Sequence, residues 1–173
     1  MTKVFLDMDG VISDFRKAYD EISHHCDDLK FKEAVRDHEI FTKLDFMPNA
    51  QSLLNLLFND LQVEVEILSS LGTHDAEIAE LARQQKEHWL NMHGILCKRN
   101  FVNSWAYKHR YAVHQSVMID DRHDVIENFV TAGGLGVIYS HEDWGSMEYK
   151  IRQAVTRAKQ LGVNSADLHI QKH

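Results

Sequence analysis

The sequence is short of proline, cysteine and long apolar runs. It has one proline, Pro48, and two cysteines, Cys26 and Cys97, among 173 residues. Two cysteines are too few for a disulfide framework and lack the spacing of metal ligands, so we expect a reducing compartment. No apolar run reaches the roughly 18 residues that a membrane span needs, and the early Asp7 argues against a signal peptide. We therefore expect a cytoplasmic protein without a membrane partner.

Basic residues are in the minority. Lys and Arg total 19 against 26 Asp and Glu, which gives a formal net charge of −7. This balance argues against a protein that coats nucleic acid, so we expect no stable nucleic-acid partner, and a homodimer is left open. It does not exclude a phosphate ester as substrate, because a metal ion can supply positive charge. The length fits one domain with a small insertion.

Short apolar runs alternate with helical patterns along the chain. The runs cover residues 4–8, 63–68, 100–102, 116–119 and 135–139. Strands this short, without hairpin turns between them, favour parallel pairing with both faces of the sheet covered. Between them lie helical stripes, of which we expect Asn49 and Ser146 to cap two and Gly94 to end a third. The pattern predicts an α/β fold with a parallel five-stranded sheet flanked by helices.

One segment interrupts this alternation. Residues 14–62 separate the first two predicted strands, and about fifty residues are far more than one crossover helix needs. We interpret residues 14–62 as a small helical cap inserted over the carboxyl edge of the sheet. The α/β core would then comprise residues 1–13 and 63–173.

Polar side chains follow three of the predicted strands. They are Asp7 and Asp9 after the first strand, Ser69 and Ser70 after the second, and Asp120 and Asp121 after the fourth. In a parallel sheet, ligands bind outside the carboxyl ends of the strands, so these groups should meet. Four carboxylates in one dry pocket would not all ionise unaided. A hard cation resolves the repulsion, and Mg²⁺ prefers oxygen ligands.

The order of these groups resembles the haloacid dehalogenase-like phosphohydrolase superfamily. Residues 7–11 look like its first motif, Ser69 its second, Lys108 its third and Asp120-Asp121 its fourth, with Lys98 as the alternative lysine. Within the superfamily, the sequence is most similar to the 5′(3′)-deoxyribonucleotidase family and its bacterial and phage relatives. The stretches that carry this similarity are residues 7–15, 41–50, 68–70, 86–89 and 119–122. The resemblance implies a Rossmann-like core.

The resemblance also implies a role for each residue. Asp7 would be the nucleophile that forms an aspartyl-phosphate, and Asp9 would be the general acid and base. The residues implied in holding Mg²⁺ are Asp7, Asp9, Asp120 and Asp121. Ser69, Ser70 and Lys108 would bind the phosphoryl oxygens. Phe15 could stack on a base, although its helical spacing fits a core residue equally well, and for Phe41 and Phe46 we expect core packing.

The function expected from the sequence is a Mg²⁺-dependent phosphatase of (deoxy)nucleoside monophosphates. A phosphatase of another small phosphate ester, or of a 3′-phosphate at a nucleic-acid end, is the alternative. A signalling receiver domain also combines aspartates, a hydroxyl and a lysine on a parallel sheet. Its acidic pair follows the first strand, however, whereas here Asp120-Asp121 comes late. A binding protein without turnover is disfavoured because both Asp7 and Asp9 are present.

Overall fold

A five-stranded sheet forms the centre of the molecule. The computed structural model describes residues 1–23 and 27–170, so Cys26 lies outside the described residues. The strands are β1 (Lys3–Leu6), β2 (Glu64–Ser70), β3 (Lys98–Val102), β4 (Ser116–Asp120) and β5 (Leu135–Ile138). Each lies within two residues of a predicted run, and β2 and β3 are two residues longer than expected at one end. β1 ends two residues earlier than expected, at Leu6, and the next backbone N–H, that of Asp7, still donates to the Ile119 carbonyl of β4 at 3.1 Å.

All pairings in the sheet are parallel, as the sequence predicts. The strand order is β3-β2-β1-β4-β5. Leu6 of β1 is in register with Ile67 of β2 on one side and Ile119 of β4 on the other. The chain therefore runs outward from β1 in both directions, and the order reverses between β1 and β4. A crevice opens at such a reversal, outside the carboxyl ends of the strands.

Within the described residues, six α-helices connect or flank the strands. They are α1 (Phe15–Asp20), α2 (Asp27–Arg36), α3 (Ala50–Asn55), α4 (Ala76–Met92), α5 (His123–Thr131) and α6 (Trp144–Ile170). Gly94 has a φ of +68°, which suits the end of α4 as predicted. Neither predicted cap acts as expected. Asn49 occupies the N-cap position of α3, but its side chain makes no cap hydrogen bond and instead donates to the His141 carbonyl. Helix α6 starts three residues earlier than a Ser146 cap would place it, and Asp143 accepts from the Ser146 backbone N–H.

Side chains on both faces of the sheet are buried. Alternate strand residues point to opposite faces. Leu6, Ile67 and Ile119 join the larger apolar cluster, which includes residues of α3, α4 and α6. Phe5, Leu68 and Met118 join a smaller cluster with three residues of α5. This double coverage is what makes the strands continuous apolar runs.

The segment between β1 and β2 is helical in its described part. It contains α1, α2, a short 3₁₀ turn (Ile40–Thr42), α3 and a π-helical turn (Leu56–Asp60). Its last part contacts α6, since Arg152 lies 3.4 Å from Asp60. Its middle part contacts α4, where the Gln85 amide donates to the Val35 carbonyl at 2.7 Å. Whether residues 14–62 form a separate cap stays a prediction.

No helix within the described ranges is both long and apolar enough to cross a membrane.

Candidate active site

Asp7 and Asp120 meet at the reversal of the strand order. Asp7 directly follows β1, and Asp120 is the last residue of the neighbouring β4. Both are buried, and so is Lys108, whose Nζ lies 2.7 Å from Oδ1 of Asp7 and 2.7 Å from Oδ2 of Asp120. Lys108 comes from a 3₁₀ helix (Trp105–Tyr111) in the connection from β3 to β4. The pairing of β1 with β4 therefore brings together three of the predicted residues.

Asp121 completes a carboxylate cluster with Asp7 and Asp120. One ligand oxygen from each of the three lies within 4.8 Å of the others. The donors are all oxygens, which is the ligand set that a hard cation such as Mg²⁺ prefers. When all three carboxylates are ionised, one ammonium, that of Lys108, leaves two negative charges uncompensated. The residues present therefore fit a divalent cation.

The electrostatics of the cluster favour protonation of its carboxylates in the metal-free protein. Burial, reinforced by the nearby Asp120, raises the pKa of Asp7 from 3.8 to about 7, although Lys108 acts in the opposite direction. Burial also raises the pKa of Asp120 and of Asp121. Burial would lower the pKa of Lys108, but the charges of Asp7 and Asp120 outweigh it and raise that pKa. A bound cation would remove the repulsion that causes part of these shifts.

A tight turn after β1 presents Asp9 beside this cluster. Backbone N–H groups of Val11, Ile12 and Ser13 all donate to the Met8 carbonyl. Gly10 has a φ of +81°, a conformation that side chains disfavour. Oδ1 of Asp9 accepts from the Ser13 hydroxyl at 3.2 Å. The turn thus leaves Asp9 beside Asp7 on the same loop.

Lys86 is a site residue that our sequence analysis did not assign a role. It lies on α4 with its side chain 0% exposed, and its Nζ lies 2.5 Å from Oδ2 of Asp9 and 2.9 Å from Oγ of Ser69. The signal was available in the sequence. Lys86 occupies a position in the apolar stripe formed by Ile78, Ala82 and Trp89, where a charged residue indicates a buried ionic partner.

The remaining predicted polar residues fall into two groups. Ser69 is buried against Lys86, whereas Ser70 lines the cavity in front of Asp7 and its hydroxyl accepts from the Gly72 backbone N–H at 3.1 Å. Lys98, the alternative lysine, lies at the start of β3 with its Nζ 3.4 Å from Glu66. Lys98 has no contact with the carboxylate cluster in the described structure.

Aromatic side chains form one wall of the cavity in front of Asp7. The cavity has a volume of about 290 Å³ and is also lined by Phe15, Phe31, Phe41 and Trp105. Phe15 stacks on Phe41 with ring centroids 5.2 Å apart and on Tyr19 at 5.1 Å. Phe15 thus packs against the core and borders the cavity at once. Phe46 packs on Trp89 and His93 and does not line the cavity.

A larger depression of about 1100 Å³ lies elsewhere, along β5 between α5 and α6. Its lining is apolar and basic, with Ile138, Lys150 and Arg157 among its members and no carboxylate. It therefore lacks the groups that the carboxylate cluster offers to a cation or to a phosphoryl group.

The comparisons with known proteins support the fold. No protein-family model and no curated protein sequence matches the chain. Among solved structures, the chain is similar to a hydrolase of the haloacid dehalogenase-like family from Streptococcus pneumoniae, with a TM-score of 0.51 and 15% sequence identity. The alignment covers 79% of this chain and 83% of that one. The chain thus shares its fold, a parallel five-stranded sheet with flanking helices, with that hydrolase, and this is the fold that the sequence predicts. The closer relation to deoxyribonucleotidases stays a prediction.

Proposed function

We propose that the protein is a Mg²⁺-dependent phosphomonoester hydrolase that works through an aspartyl-phosphate on Asp7. One observation carries the proposal: the Lys108 ammonium lies 2.7 Å from both Asp7 and Asp120, next to the loop that holds Asp9. A buried ammonium between two carboxylates orients Asp7 and supplies positive charge where a phosphoryl group would sit. A receiver module needs no second carboxylate two residues after the phosphorylated one, so Asp9 favours turnover.

The residues are suited to a reaction in two displacements. In the first, an oxygen of Asp7 forms a bond to phosphorus, the ester P–O bond breaks, and Asp9 gives its proton to the leaving oxygen. In the second, a water oxygen forms a bond to phosphorus while Asp9 accepts its proton. The bond between phosphorus and Asp7 then breaks, which releases inorganic phosphate and regenerates both carboxyl groups. Lys108 and the hydroxyl of Ser69 or Ser70 would hold the phosphoryl oxygens.

Asp7, Asp120 and Asp121 would hold the cation, with the backbone of Asp9 as a further ligand that the family resemblance implies. The cation would neutralise negative charge shared between the Asp7 carboxylate and the phosphate. Lys108 already offsets part of the same charge, which keeps Asp7 in place before substrate arrives.

The substrate we propose is a (deoxy)nucleoside monophosphate. The aromatic wall of Phe15, Phe31 and Phe41 faces the same cavity as Asp7, and planar bases stack on aromatic rings. A cavity of about 290 Å³ suits a small group and not a folded polymer. The net charge of −7 is in keeping with a small-molecule substrate rather than a nucleic-acid end.

A panel of substrates tests both the proposed phosphatase activity and the proposed nucleotide substrate. Purified protein with Mg²⁺ would be given p-nitrophenyl phosphate, deoxynucleoside 5′- and 3′-monophosphates, sugar phosphates and a 3′-phosphorylated oligonucleotide. We expect the deoxynucleoside monophosphates to be hydrolysed with a higher kcat/KM than the sugar phosphates and the oligonucleotide. We also expect EDTA to abolish phosphate release. Higher kcat/KM for sugar phosphates or the oligonucleotide would overturn the nucleotidase assignment alone. No release from any ester, or full release in EDTA, would overturn the general proposal.

A further inference from the structure

We propose that Lys86 is a positioning residue that holds Asp9 in the orientation its acid and base roles require. This inference rests on the proposed function. It concerns a residue on α4, outside the carboxylate cluster, which touches neither Asp7 nor Asp120 in the described structure. Lys86 would act through Asp9 and Ser69, and not on the substrate itself.

The Lys86 ammonium has three neighbours. Its Nζ lies 2.5 Å from Oδ2 of Asp9 and 2.9 Å from Oγ of Ser69, and it lies over the ring of Phe41, 4.4 Å from the ring centroid. The side chain is entirely buried. A buried ammonium with two hydrogen-bond partners and a ring contact has little freedom, so we expect it to hold Asp9 and Ser69 in fixed positions.

Asp9 is tethered at both oxygens as a result. Oδ1 accepts from Ser13 within the turn, and Oδ2 pairs with Lys86 from another element. The Asp9 side chain is nevertheless 27% exposed, whereas that of Lys86 is 0% exposed. Asp9 can therefore reach the cavity, while Lys86 contacts its carboxylate from the buried interior. A general acid needs hydrogen-bond reach to the leaving oxygen, and a misplacement of about 1 Å can cost on the order of 10²-fold in rate.

Stability alone does not explain a lysine at this position. A buried ion pair is on average no more stabilising than apolar side chains of similar volume. The neighbours of Lys86 on the stripe are Ala82, Trp89 and Leu90, all buried and apolar, so a methionine would suit the packing. Unlike methionine, lysine donates hydrogen bonds from α4 to Asp9, after β1, and to Ser69, near the end of β2.

A double-mutant cycle between Lys86→Met and Asp9→Asn tests the proposal. We expect Lys86→Met to lower kcat about 10²-fold in the wild-type background, with little change in KM. In the Asp9→Asn background the same substitution should cost less than about threefold, because the residue it orients is already disabled. p-Nitrophenyl phosphate serves for both backgrounds, since its good leaving group keeps turnover measurable in Asp9→Asn. Hydrolysis of the aspartyl-phosphate still needs Asp9 as base, so kcat with this substrate still reports how Asp9 is oriented. Lys98→Met, which removes a lysine paired with Glu66 away from the cavity, is the matched control and should keep wild-type kcat.

An equal loss in both backgrounds would overturn the proposal, and so would wild-type kcat in Lys86→Met. If Lys86→Met does not fold by circular dichroism, Lys86→Arg enters the same cycle, because it keeps charged donors but changes their reach. A crystal structure of the variant gives a readout that is independent of turnover. We expect the Asp9 carboxylate to rotate away from its wild-type orientation, and an unchanged Asp9 would overturn the proposal. If the wild-type protein hydrolyses no ester, the proposed function has failed, and this structure still decides whether Lys86 positions Asp9.

Discussion

Gly10 approaches Asp121 so closely that a β-carbon at residue 10 would lie 2.3 Å from Oδ2 of Asp121. The two residues come from different strand ends, one after β1 and the other after β4. Since Asp121 belongs to the carboxylate cluster, the size of residue 10 controls where one predicted metal ligand lies. Gly10 also has a positive φ, so two separate constraints act at one position.

Gly10→Ala should therefore lower both activity and stability. We expect a fall in kcat/KM of at least about tenfold, because a shift of Asp121 by a fraction of an ångström disturbs the cluster. The free energy of unfolding should fall by about 1–3 kcal/mol from the strained φ. Phosphatase assays and urea unfolding measure the two quantities. Gly94→Ala is the matched control: its φ is +68° but a β-carbon there meets nothing within 4 Å. It should lose stability and keep full activity.

Asp7→Asn should abolish turnover while the fold is retained. The amide cannot form the acyl-phosphate, because it lacks the anionic oxygen that attacks phosphorus. Acid-quenched wild-type enzyme analysed by mass spectrometry should carry one phosphate on a peptide containing Asp7, and the variant should carry none. Asp124→Asn applies the same chemical change to an exposed carboxylate paired with Arg122 and should leave kcat unchanged. Near wild-type turnover in the Asp7 variant would contradict its role as nucleophile.

Asp121→Asn should stabilise the metal-free protein and weaken its response to Mg²⁺. The pKa values of Asp7 and Asp121 are raised in the folded state, by burial above all and also, for Asp121, by the charge of Asp7. The folded state therefore binds more protons than the unfolded one, and stability falls as pH rises from about 4 to about 7. Removing one charge should raise Tm in EDTA at pH 8. The free energy of unfolding should rise by no more than about 1 kcal/mol, because the Asp121 side chain still contacts solvent, which partly screens its charge.

Melting curves of the wild-type protein and the variant test this prediction. They are recorded at pH 8 and at pH 4, each in EDTA and in Mg²⁺. At pH 4 the stabilisation by Asp121→Asn should be smaller, because the raised pKa of Asp121 leaves more of this carboxyl protonated there than at pH 8. Mg²⁺ at pH 8 should raise Tm in the wild-type protein more than in the variant. A variant that melts below the wild-type protein in EDTA at pH 8 would contradict the repulsion described for this cluster.

Phe15→Ala should weaken the turnover of nucleotides more than that of p-nitrophenyl phosphate. If a base stacks on Phe15, its loss corresponds to about 1–3 kcal/mol in kcat/KM for the nucleotide. The variant will also be less stable, because Phe15 packs on Tyr19 and Phe41. The ratio of kcat/KM for the two substrates separates these effects. Phe46→Ala removes an aromatic ring that does not line the cavity and should leave the ratio unchanged. Equal losses on both substrates in Phe15→Ala would make Phe15 a core residue only.

Local sequence patterns predicted the strands and the carboxylates that follow them. The features that these patterns did not predict depend mostly on tertiary contacts. The sequence predicts a helical segment over residues 14–62 without placing helix α2 in it. The structure places α2 against α4 and the 3₁₀ turn at Ile40–Thr42. Asn49 is a residue type that often caps helices, but its side-chain amide donates to the backbone carbonyl of His141, 92 residues away. Such partners are set by the folded chain and cannot be read from neighbouring residues.

The sequence by itself determined the parallel sheet and the strand ends at which Asp7, Asp9, Asp120 and Asp121 lie. Short apolar runs and the residues that follow them are local properties, so they remain visible without a structure. Only the tertiary structure decided which lysine serves which carboxylate. Lys108 reaches Asp7 and Asp120 because β1 pairs with β4, and Lys86 reaches Asp9 from α4, 77 residues further along the chain. A long flexible side chain finds its partner through the packing of distant elements, and that packing is a property of the whole fold.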